Sequence, residues 1–432
     1  MKNFIKNQLF EFFFVMLKFI SKFKNPKITA YIINISLLRL KNIRKPKNKE
    51  KFVLVFEKSI GIEDLRVSFS NVTPNFNLIL IHRRVIRIIY DIFYDKKVKD
   101  SVYFGNNKKS KIKRKLFKEH LEQIFFELIK LKNFYAFISF NHAYRLESEL
   151  QEFCKLNNIK YIVCHKESNF LKSELPLLEK ELRNPLHSIS KFSGDFITVY
   201  SKRAKDVLVK NKIVSNSKIF ITGMPKSDFI FNSKTRKKKH VIFFLIQVRR
   251  LMSIKNKRAI NYWKTLAEES IKETLLVAKK FPEIDFIFKT KVTNEKYSLR
   301  QRQLIEKANL HNCKIIYGGT SIKLVNDCIC LIAYNSTSIL EGLAAKKDVI
   351  VPYFKIKKDN FYYNLSMKLN NSVHLCKDSK ELGNKIIRSI RNKSKPNKKF
   401  LSNLSKKLLN YHISNTKGNS SIRLAQKLNQ II

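Results

Sequence analysis

The sequence predicts an α/β protein built from two parallel sheets. Short apolar runs alternate with amphipathic helical segments through both halves of the 432-residue chain, as expected where helices cover a parallel sheet. The length suffices for two domains of ordinary size. The hydrophobic content of 44% suffices for a packed core in each. Only nine glycines and nine prolines occur, which argues against fibrous and low-complexity classes.

Residues 1–50 predict a basic amphipathic helix followed by a tether. The apolar centre of the helix is interrupted by Glu11 and Lys18 and is shorter than the roughly 20 residues of a spanning helix. No small-residue cleavage site follows, which disfavours a secretory signal. The pattern is typical of a helix lying on anionic lipid, and the alternative is a core-packed helix with basic ends. The tether is basic and broken by Pro26 and Pro46.

Residues 51–230 form the predicted first domain. Apolar runs of strand length alternate there with helical segments, and a basic loop at 105–116 leads into a helix at 117–132. A Gly-x-Pro turn at 223–225 closes the domain, because glycine permits unusual dihedral angles and proline ends a strand. The predicted strands are 51–57, 134–140, 159–166, 196–201 and the run that begins at 218.

Residues 240–395 form the predicted second domain, and residues 396–432 form a C-terminal helical tail. A long helix at 258–281 contains the only tryptophan, Trp263. A polar, basic linker at 231–240 separates this domain from the first. The predicted strands are 240–246, 284–291, 313–318, 328–334 and 348–353.

The net charge of +53 attracts polyanions, among them nucleic acid, anionic lipid and phosphorylated substrates. The 87 basic residues are spread along the chain and no nucleic-acid recognition module occurs. We therefore expect no specific nucleic-acid partner, although a nucleic-acid- or polyanion-binding protein remains an alternative function. No pair of the six cysteines has C-x-x-C spacing, so reduced thiols in a cytosolic protein are expected.

The segment 331–354 carries the most specific functional pattern. An apolar strand ends in the turn Asn335-Ser336-Thr337-Ser338, and a helix with Glu341 in its first turn follows. Free N–H groups and the helix dipole at such a place attract anions, and in open α/β sheets ligands bind outside the carboxyl ends of strands. The glutamate could accept hydrogen bonds from a ribose. An ordinary capped helix between two strands is the alternative, since the same residues are common caps.

Three segments together resemble the GT-B glycosyltransferases of surface carbohydrate synthesis. The strand 284–291 looks like the strand that ends in a phosphate-facing lysine or histidine in capsular-polysaccharide and CDP-glycerol-type transferases. Residues 335–354 are similar to their donor-binding block, and residues 197–229 to the run that closes their first domain. The resemblance covers residues 134–354. It implies two Rossmann-like domains facing across a cleft.

This resemblance implies a glycosyltransferase that needs neither a metal nor another cofactor. Such an enzyme moves a sugar, or a glycerol phosphate, from a nucleotide-activated donor to a surface polysaccharide or a lipid-linked acceptor. The family's Lys-x-His-Pro is replaced here by Lys289-Thr290-Lys291, so the phosphate role falls to a lysine, Lys289 in the first place. We expect Ser336, Thr337 and Ser338, beside Asn335, to bind donor phosphate and Glu341 to hold the ribose. The expected location is cytoplasmic, at the anionic inner face of the cell membrane.

Polar residues also follow two neighbouring strands of the first domain. His165-Lys166-Glu167 ends one strand, and His142 follows the strand before it. A transferase needs a base for the acceptor hydroxyl, so Glu167 or His165 is the predicted catalytic base, with Lys166 and His142 on the acceptor. A nucleotide-sugar epimerase of the same fold is the remaining alternative. It would want paired carboxylates, and only Glu167 is clearly placed.

Overall fold

The structure, a computed structural model, resolves two compact units. The first contains the described residues up to Pro225 together with Asn419–Ile432, and the second contains the described residues of Lys226–Gly418. The described residues are 2–57, 59–94, 103, 107–142, 145–165, 192–233, 239–246, 257–290, 295–319, 321–334, 336–354, 372–393 and 402–432.

The first unit is built on a seven-stranded sheet with the order β1-β3-β2-β4-β5-β6-β7. All neighbouring strands run parallel except β1 and β3. Strands β2 to β6 are largely buried because helices cover both faces, which explains their nearly continuous apolar sequences. The strands are β1 (Leu38–Arg39), β2 (Phe52–Phe56), β3 (Asn77–Ile81), β4 (Phe134–Ser139), β5 (Lys160–Cys164), β6 (Phe196–Val199) and β7 (Ile219–Ile221).

The helices of this unit bury two separate hydrophobic clusters. The last helix in the chain belongs here: Leu424 and Leu428 lie in the second cluster, and Asn429 bonds to the backbone of Thr73 and Asn75 at 2.9 and 3.0 Å. The helices are α1 (Lys2–Ser21), α2 (Pro26–Ser36), α3 (Ser59–Asn71), α4 (Arg83–Tyr90), α5 (Lys108–Leu131), α6 (Arg145–Ser148), α7 (Leu150–Leu156), α8 (Lys202–Lys210) and, at the end of the chain, α16 (Ser420–Ile431).

The second unit is built on a six-stranded parallel sheet with the order β10-β9-β8-β11-β12-β13. In chain order this is 3-2-1-4-5-6, the order of the Rossmann fold. The strands are β8 (His240–Phe244), β9 (Asp285–Thr290), β10 (Cys313–Tyr317), β11 (Cys328–Ile332), β12 (Asp348–Pro352) and β13 (His374–Cys376). The helices are α9 (Asp228–Asn232), α10 (Lys257–Lys280), α11 (Glu295–Ala308), α12 (Ile322–Asp327), α13 (Ser338–Ala344), α14 (Ser379–Arg391) and α15 (Asn403–Ile413).

Two basic stretches differ from the predicted loops. The predicted tether contains helix α2, which begins at Pro26 because the Asn25 side chain accepts from the Ile28 N–H at 3.2 Å. The predicted basic loop at 105–116 is helical from Lys108, where Asn107 caps the Ser110 N–H at 2.8 Å. Lysine and arginine are good helix formers, so their charge misled the prediction. The predicted domain boundaries remain a prediction.

The six cysteines are free thiols, and five of them are buried. Burial raises the pKa of Cys164 and of Cys328 to about 12, which keeps both protonated and unreactive. These two thiols therefore pack as small hydrophobic side chains.

Among the described residues, no helix is long and apolar enough to cross a membrane.

The close contact between Gly61 in α3 and the buried Phe140 ring gives a stability test. A Cβ atom at Gly61 would lie 2.1 Å from Phe140 Cδ1, so Gly61→Ala should lower the free energy of unfolding by about 1–3 kcal/mol through overpacking. Urea denaturation of Gly61→Ala, Phe140→Leu and the double variant measures this. The double variant should lose less than the sum of the single losses; strict additivity would contradict the contact.

Candidate functional site

The carboxyl edge of the second unit's sheet is the place where its strand order predicts a ligand. The order reverses between β8 and β11, and ligands of open α/β sheets bind outside the strand ends at such a point. Leu245 and Ile246 follow β8 there, and Ala333, Tyr334, Ser336 and Thr337 follow β11. The segment singled out in the sequence therefore lies at the expected position in the fold.

Glu341 lies in α13 and is almost completely buried, yet both of its carboxylate oxygens are bonded. Oε1 accepts from Lys226 Nζ at 2.6 Å, and Oε2 accepts from Ser321 Oγ at 2.7 Å. The side chain of Lys226 is 12% exposed and that of Glu341 2%. A charge this deep needs a partner, so Glu341 fixes the position of the Lys226 ammonium at the site. We call Lys226, Ser321 and Glu341 the lysine–glutamate cluster.

The hydroxyl turn before α13 is internally bonded. Ser338 Oγ donates to Ser336 Oγ at 2.7 Å, and the Ser338 N–H donates to the same oxygen at 3.3 Å. Thr337 is exposed and occupies the N-cap position without a side-chain cap bond. Helix α13 has only seven residues, so its dipole is short. Asn335, the fourth predicted residue of the turn, lies outside the described residues.

Lys289 is the next-to-last residue of β9, the strand that neighbours β8. Its buried ammonium donates to the carbonyl of Gly318 and, at 3.3 Å, to that of Thr290. Burial lowers the pKa of Lys289. Gly318 and Gly319 both have positive φ, of 59° and 69°, a conformation that glycine adopts without strain. The ammonium thus ties the turn after β10 to the end of β9.

Gln301 in α11 holds the backbone of Ile246, just after the end of β8. Its buried amide accepts from the Ile246 N–H at 3.1 Å and donates to the Ile246 carbonyl at 2.7 Å. In Rossmann folds the segment after the first strand approaches the phosphates. Gln301 therefore fixes the first residues of that segment. This role cannot be predicted from the sequence, because a single glutamine in an amphipathic helix has no distinguishing pattern.

In the first unit, the predicted residues His142 and His165 lie together. Both are buried, and their rings stack with centroids 5.3 Å apart and planes 27° from parallel. They follow β4 and β5, which are adjacent and parallel, and β4 borders the reversal of strand order at β2. The His165 N–H donates to the Thr198 carbonyl at 2.8 Å. Glu167 and Lys166 lie outside the described residues.

A buried acid that the sequence analysis missed lies at the same edge of this sheet. The Tyr200 hydroxyl, just after β6, donates to Asp64 in α3. Both residues are buried, and Asp64 contributes to raising the pKa of Cys164, the residue before His165. Asp64 is 136 positions from Tyr200, and no local pattern reveals a pair that distant.

The described parts of the two units contain no group of three or more His, Cys, Asp or Glu residues that could hold a metal ion.

Comparison with known proteins identifies the fold. No protein-family model and no curated protein matches the sequence. Among solved structures, the chain is similar to the wall teichoic acid polymerase TagF, H444N variant, with a TM-score of 0.53, 11% identity and coverage of 94% of this chain and 93% of that one. It is also similar to the UDP-GlcNAc 2-epimerase of Methanocaldococcus jannaschii, with a TM-score of 0.51, 12% identity and coverage of 89% and 100%. The UDP-GlcNAc 2-epimerase of Neisseria meningitidis, bound to UDP-GlcNAc, has a TM-score of 0.50 and 12% identity. The match covers 89% of this chain and 100% of that one.

The chain has the GT-B fold class. At 11–12% identity the likeness is one of fold, and it spans nearly the whole of each chain. The prediction of an α/β protein with two Rossmann-like domains is therefore confirmed.

The lysine–glutamate cluster should behave as a buried ion pair. Lys226→Met or Glu341→Gln should each cost about 3–5 kcal/mol of unfolding free energy, because each leaves a buried group without its partner. The double variant should cost less than the sum of the two. Chemical denaturation measures all three, and Lys314→Met, which removes an exposed pair with Asp285 in the same unit, is the control with a loss of about 0–1 kcal/mol. Equal losses for Lys226→Met and Lys314→Met would contradict the pair.

Proposed function

We propose that the protein is a glycosyltransferase of surface carbohydrate synthesis. It moves a sugar or a glycerol phosphate from a nucleotide-activated donor to a surface polysaccharide or lipid-linked acceptor. The observation that carries this proposal is the set of cations and hydroxyls at the carboxyl edge of a Rossmann sheet: Lys289 in β9, Lys226 bonded to Glu341 of α13, and the turn Ser336–Ser338. Buried thiols support action in the cytoplasm, where thiols stay reduced.

The donor diphosphate suits the cations of the second unit. Lys289 and Lys226 are both largely withdrawn from water, and in such surroundings an ammonium stabilises the negative charge that develops on a leaving diphosphate more strongly than in water. In the proposal, Ser336, Thr337 and Ser338, with Asn335, donate hydrogen bonds to phosphate oxygens. Lys289 neutralises the leaving group.

Glu341 has room for a second role beside holding Lys226. A carboxylate offers about four acceptor positions, and the bonds from Lys226 and Ser321 use one on each oxygen. In the proposal, a remaining position accepts a ribose hydroxyl. Glu341 would then bind the nucleoside directly and orient the Lys226 ammonium toward the phosphates.

The stacked histidines of the first unit supply a candidate base for the acceptor. A neutral imidazole accepts a proton near neutral pH, and the two rings are fixed by burial. In the proposal His165, or Glu167 beside it, removes the proton of the acceptor hydroxyl while His142 and Lys166 contact the acceptor. Proton removal strengthens the hydroxyl as the nucleophile that displaces the nucleotide.

A nucleotide-sugar epimerase is the second candidate. Solved epimerases have the same fold and nearly the same similarity to this chain as the polymerase. The two activities differ in their need for an acceptor. An epimerase changes a nucleotide sugar alone, whereas a transferase releases the nucleotide only when an acceptor is present. Incubation with UDP-GlcNAc without acceptor, followed by NMR of the sugar, therefore separates them.

Thermal stability against a panel of nucleotides tests the donor site. The panel holds CMP, CDP, UDP, GDP, CDP-glycerol, UDP-GlcNAc and pyrophosphate at moderate salt. A ligand that binds only the folded state raises the melting temperature, so a shift confined to one base supports the proposal and names the donor class. Equal shifts with every member, pyrophosphate included, would show binding by net charge alone and contradict it.

Lys289→Met should weaken binding of the selected nucleotide diphosphate by roughly 10- to 100-fold, the value of a hydrogen bond to a charged group. The nucleoside, which has no phosphate, should bind with unchanged affinity. Isothermal titration calorimetry measures both dissociation constants. Lys314→Met is the matched control, because it removes a lysine from the neighbouring strand β10 at an exposed position. A similar loss in both variants would remove Lys289 from the site.

His142→Asn and His165→Asn should lower turnover roughly 100-fold or more, the contribution of a positioned base, while donor affinity stays the same. Turnover is measured as nucleotide release with the acceptor present, and affinity by calorimetry. Unchanged turnover in both variants would exclude the pair from catalysis. Weaker donor binding would instead assign the histidines to the donor.

A further inference from the structure

Helix α1 has two opposite apolar faces. Phe14 and Leu17 point into the first unit's core and are at most 4% exposed. Phe12, Val15 and Phe19, with Phe23 in the turn after the helix, are between 62% and 69% exposed. At about 100° per residue these four side chains fall within an arc of about 80°. A helix that only packed on a core would carry polar residues on that side.

Helix α2 repeats the arrangement. Thr29, Ala30, Ile32 and Ile33 are buried, whereas Tyr31 and Ile35 are more than half exposed. Ile28 and Tyr31 also line a shallow groove with Leu131 of α5, and Lys27, Lys130 and Glu127 stand at its rim. We call the α1 residues Phe12, Val15 and Phe19, with Phe23 in the turn that follows, the outer face.

The charge around the outer face is positive. Residues 1–36, which span α1 and α2, contain six lysines and one acidic residue, Glu11. Glu11 is itself paired with Arg84 of α4 at 2.6 Å. Lys18 and Lys22 are exposed and, by the same helical spacing, flank the apolar stripe on one side.

We propose that the outer face docks the protein on an anionic bilayer, with α1 lying along the surface. Aromatic and aliphatic side chains flanked by lysines are what an interfacial helix needs, since the former enter the acyl boundary and the latter contact anionic headgroups. A second copy of the chain is a poorer occupant. A symmetric contact would bring two lysine-rich segments together, and like charges repel.

This inference stands apart from the proposed function, because none of its residues belongs to the nucleotide site. A net charge of +53 makes the protein adhere to any anionic vesicle. The apolar contribution must therefore be separated from the electrostatic one. Salt does this, because it screens charge over a few ångströms at about 0.5 M and leaves apolar insertion in place.

The test is flotation of the full chain with phosphatidylglycerol–phosphatidylcholine vesicles at 0.1 M and 0.5 M salt. The wild type should stay partly bound at 0.5 M salt. Phe12→Ser, Phe19→Ser and Phe23→Ser combined should lower the partition coefficient roughly 100-fold, an average of roughly fivefold for each side chain that transfers part of its area from water. Lys18→Gln with Lys22→Gln should lower binding roughly 20-fold at 0.1 M salt.

A matched control replaces three other exposed hydrophobic residues, Leu156, Leu276 and Leu299, with serine. These are 48–77% exposed and lie on α7, α10 and α11. Equal salt-resistant binding by the wild type and the phenylalanine variant would overturn the proposal, as would an equal loss in the leucine control. Analytical ultracentrifugation tests a second copy as the occupant. If the wild type is a dimer, the phenylalanine variant is a monomer and neither shows salt-resistant vesicle binding, the outer face contacts a second copy instead. Nucleotide binding by the phenylalanine variant should equal that of the wild type.

Discussion

Every strand of the second sheet runs in the same direction, so all the carboxyl ends meet at one edge. The rest of the candidate site depends on this constraint. Strand order reverses between β8 and β11 at that edge, which separates the flanking helices and leaves room for a ligand. Lys289 of β9 and the α13 residues Ser338 and Glu341 come from separate parts of the sequence and reach the same edge because their strands are parallel. The stacked His142 and His165 follow the same rule in the first unit.

Much of this could be predicted from the sequence. Strands buried on both faces leave continuous apolar runs, so β2, β8 and β11 were recognisable, and so were the polar residues at strand ends. The partners of Glu341 could not be predicted from the sequence, because Lys226 lies 115 positions away and such pairs arise only from tertiary packing. The hydrogen bond between Asp64 and Tyr200 could not be predicted for the same reason. Helix α5 begins at Lys108, earlier than predicted, because lysine favours helices even where a cluster of lysines suggests an exposed loop.

Acidic residues are scarce in this chain, and several of the buried ones each hold a cation. Glu147 bonds to Arg83, Glu149 to Arg114, and Glu341 to Lys226. With 34 acidic against 87 basic residues, most cations have no acidic partner available. The excess charge therefore remains at the surface, where it attracts anions of any kind. Selectivity for one anion has to come from buried geometry, and in the proposed transferase the lysine–glutamate cluster and Lys289 would supply it.

Helix α16 has a consequence for how the polypeptide is made. It is the last helix in the chain, but it fills the core of the unit that is synthesised first, through Leu424, Leu428 and the bonds of Asn429. Domains generally fold as they emerge from the ribosome, the N-terminal one first. Here the first unit must wait for its final helix until nearly two hundred intervening residues have been translated. The second unit is therefore the one whose residues are all available earlier, and the nascent first unit exposes an apolar surface on α3 in the meantime.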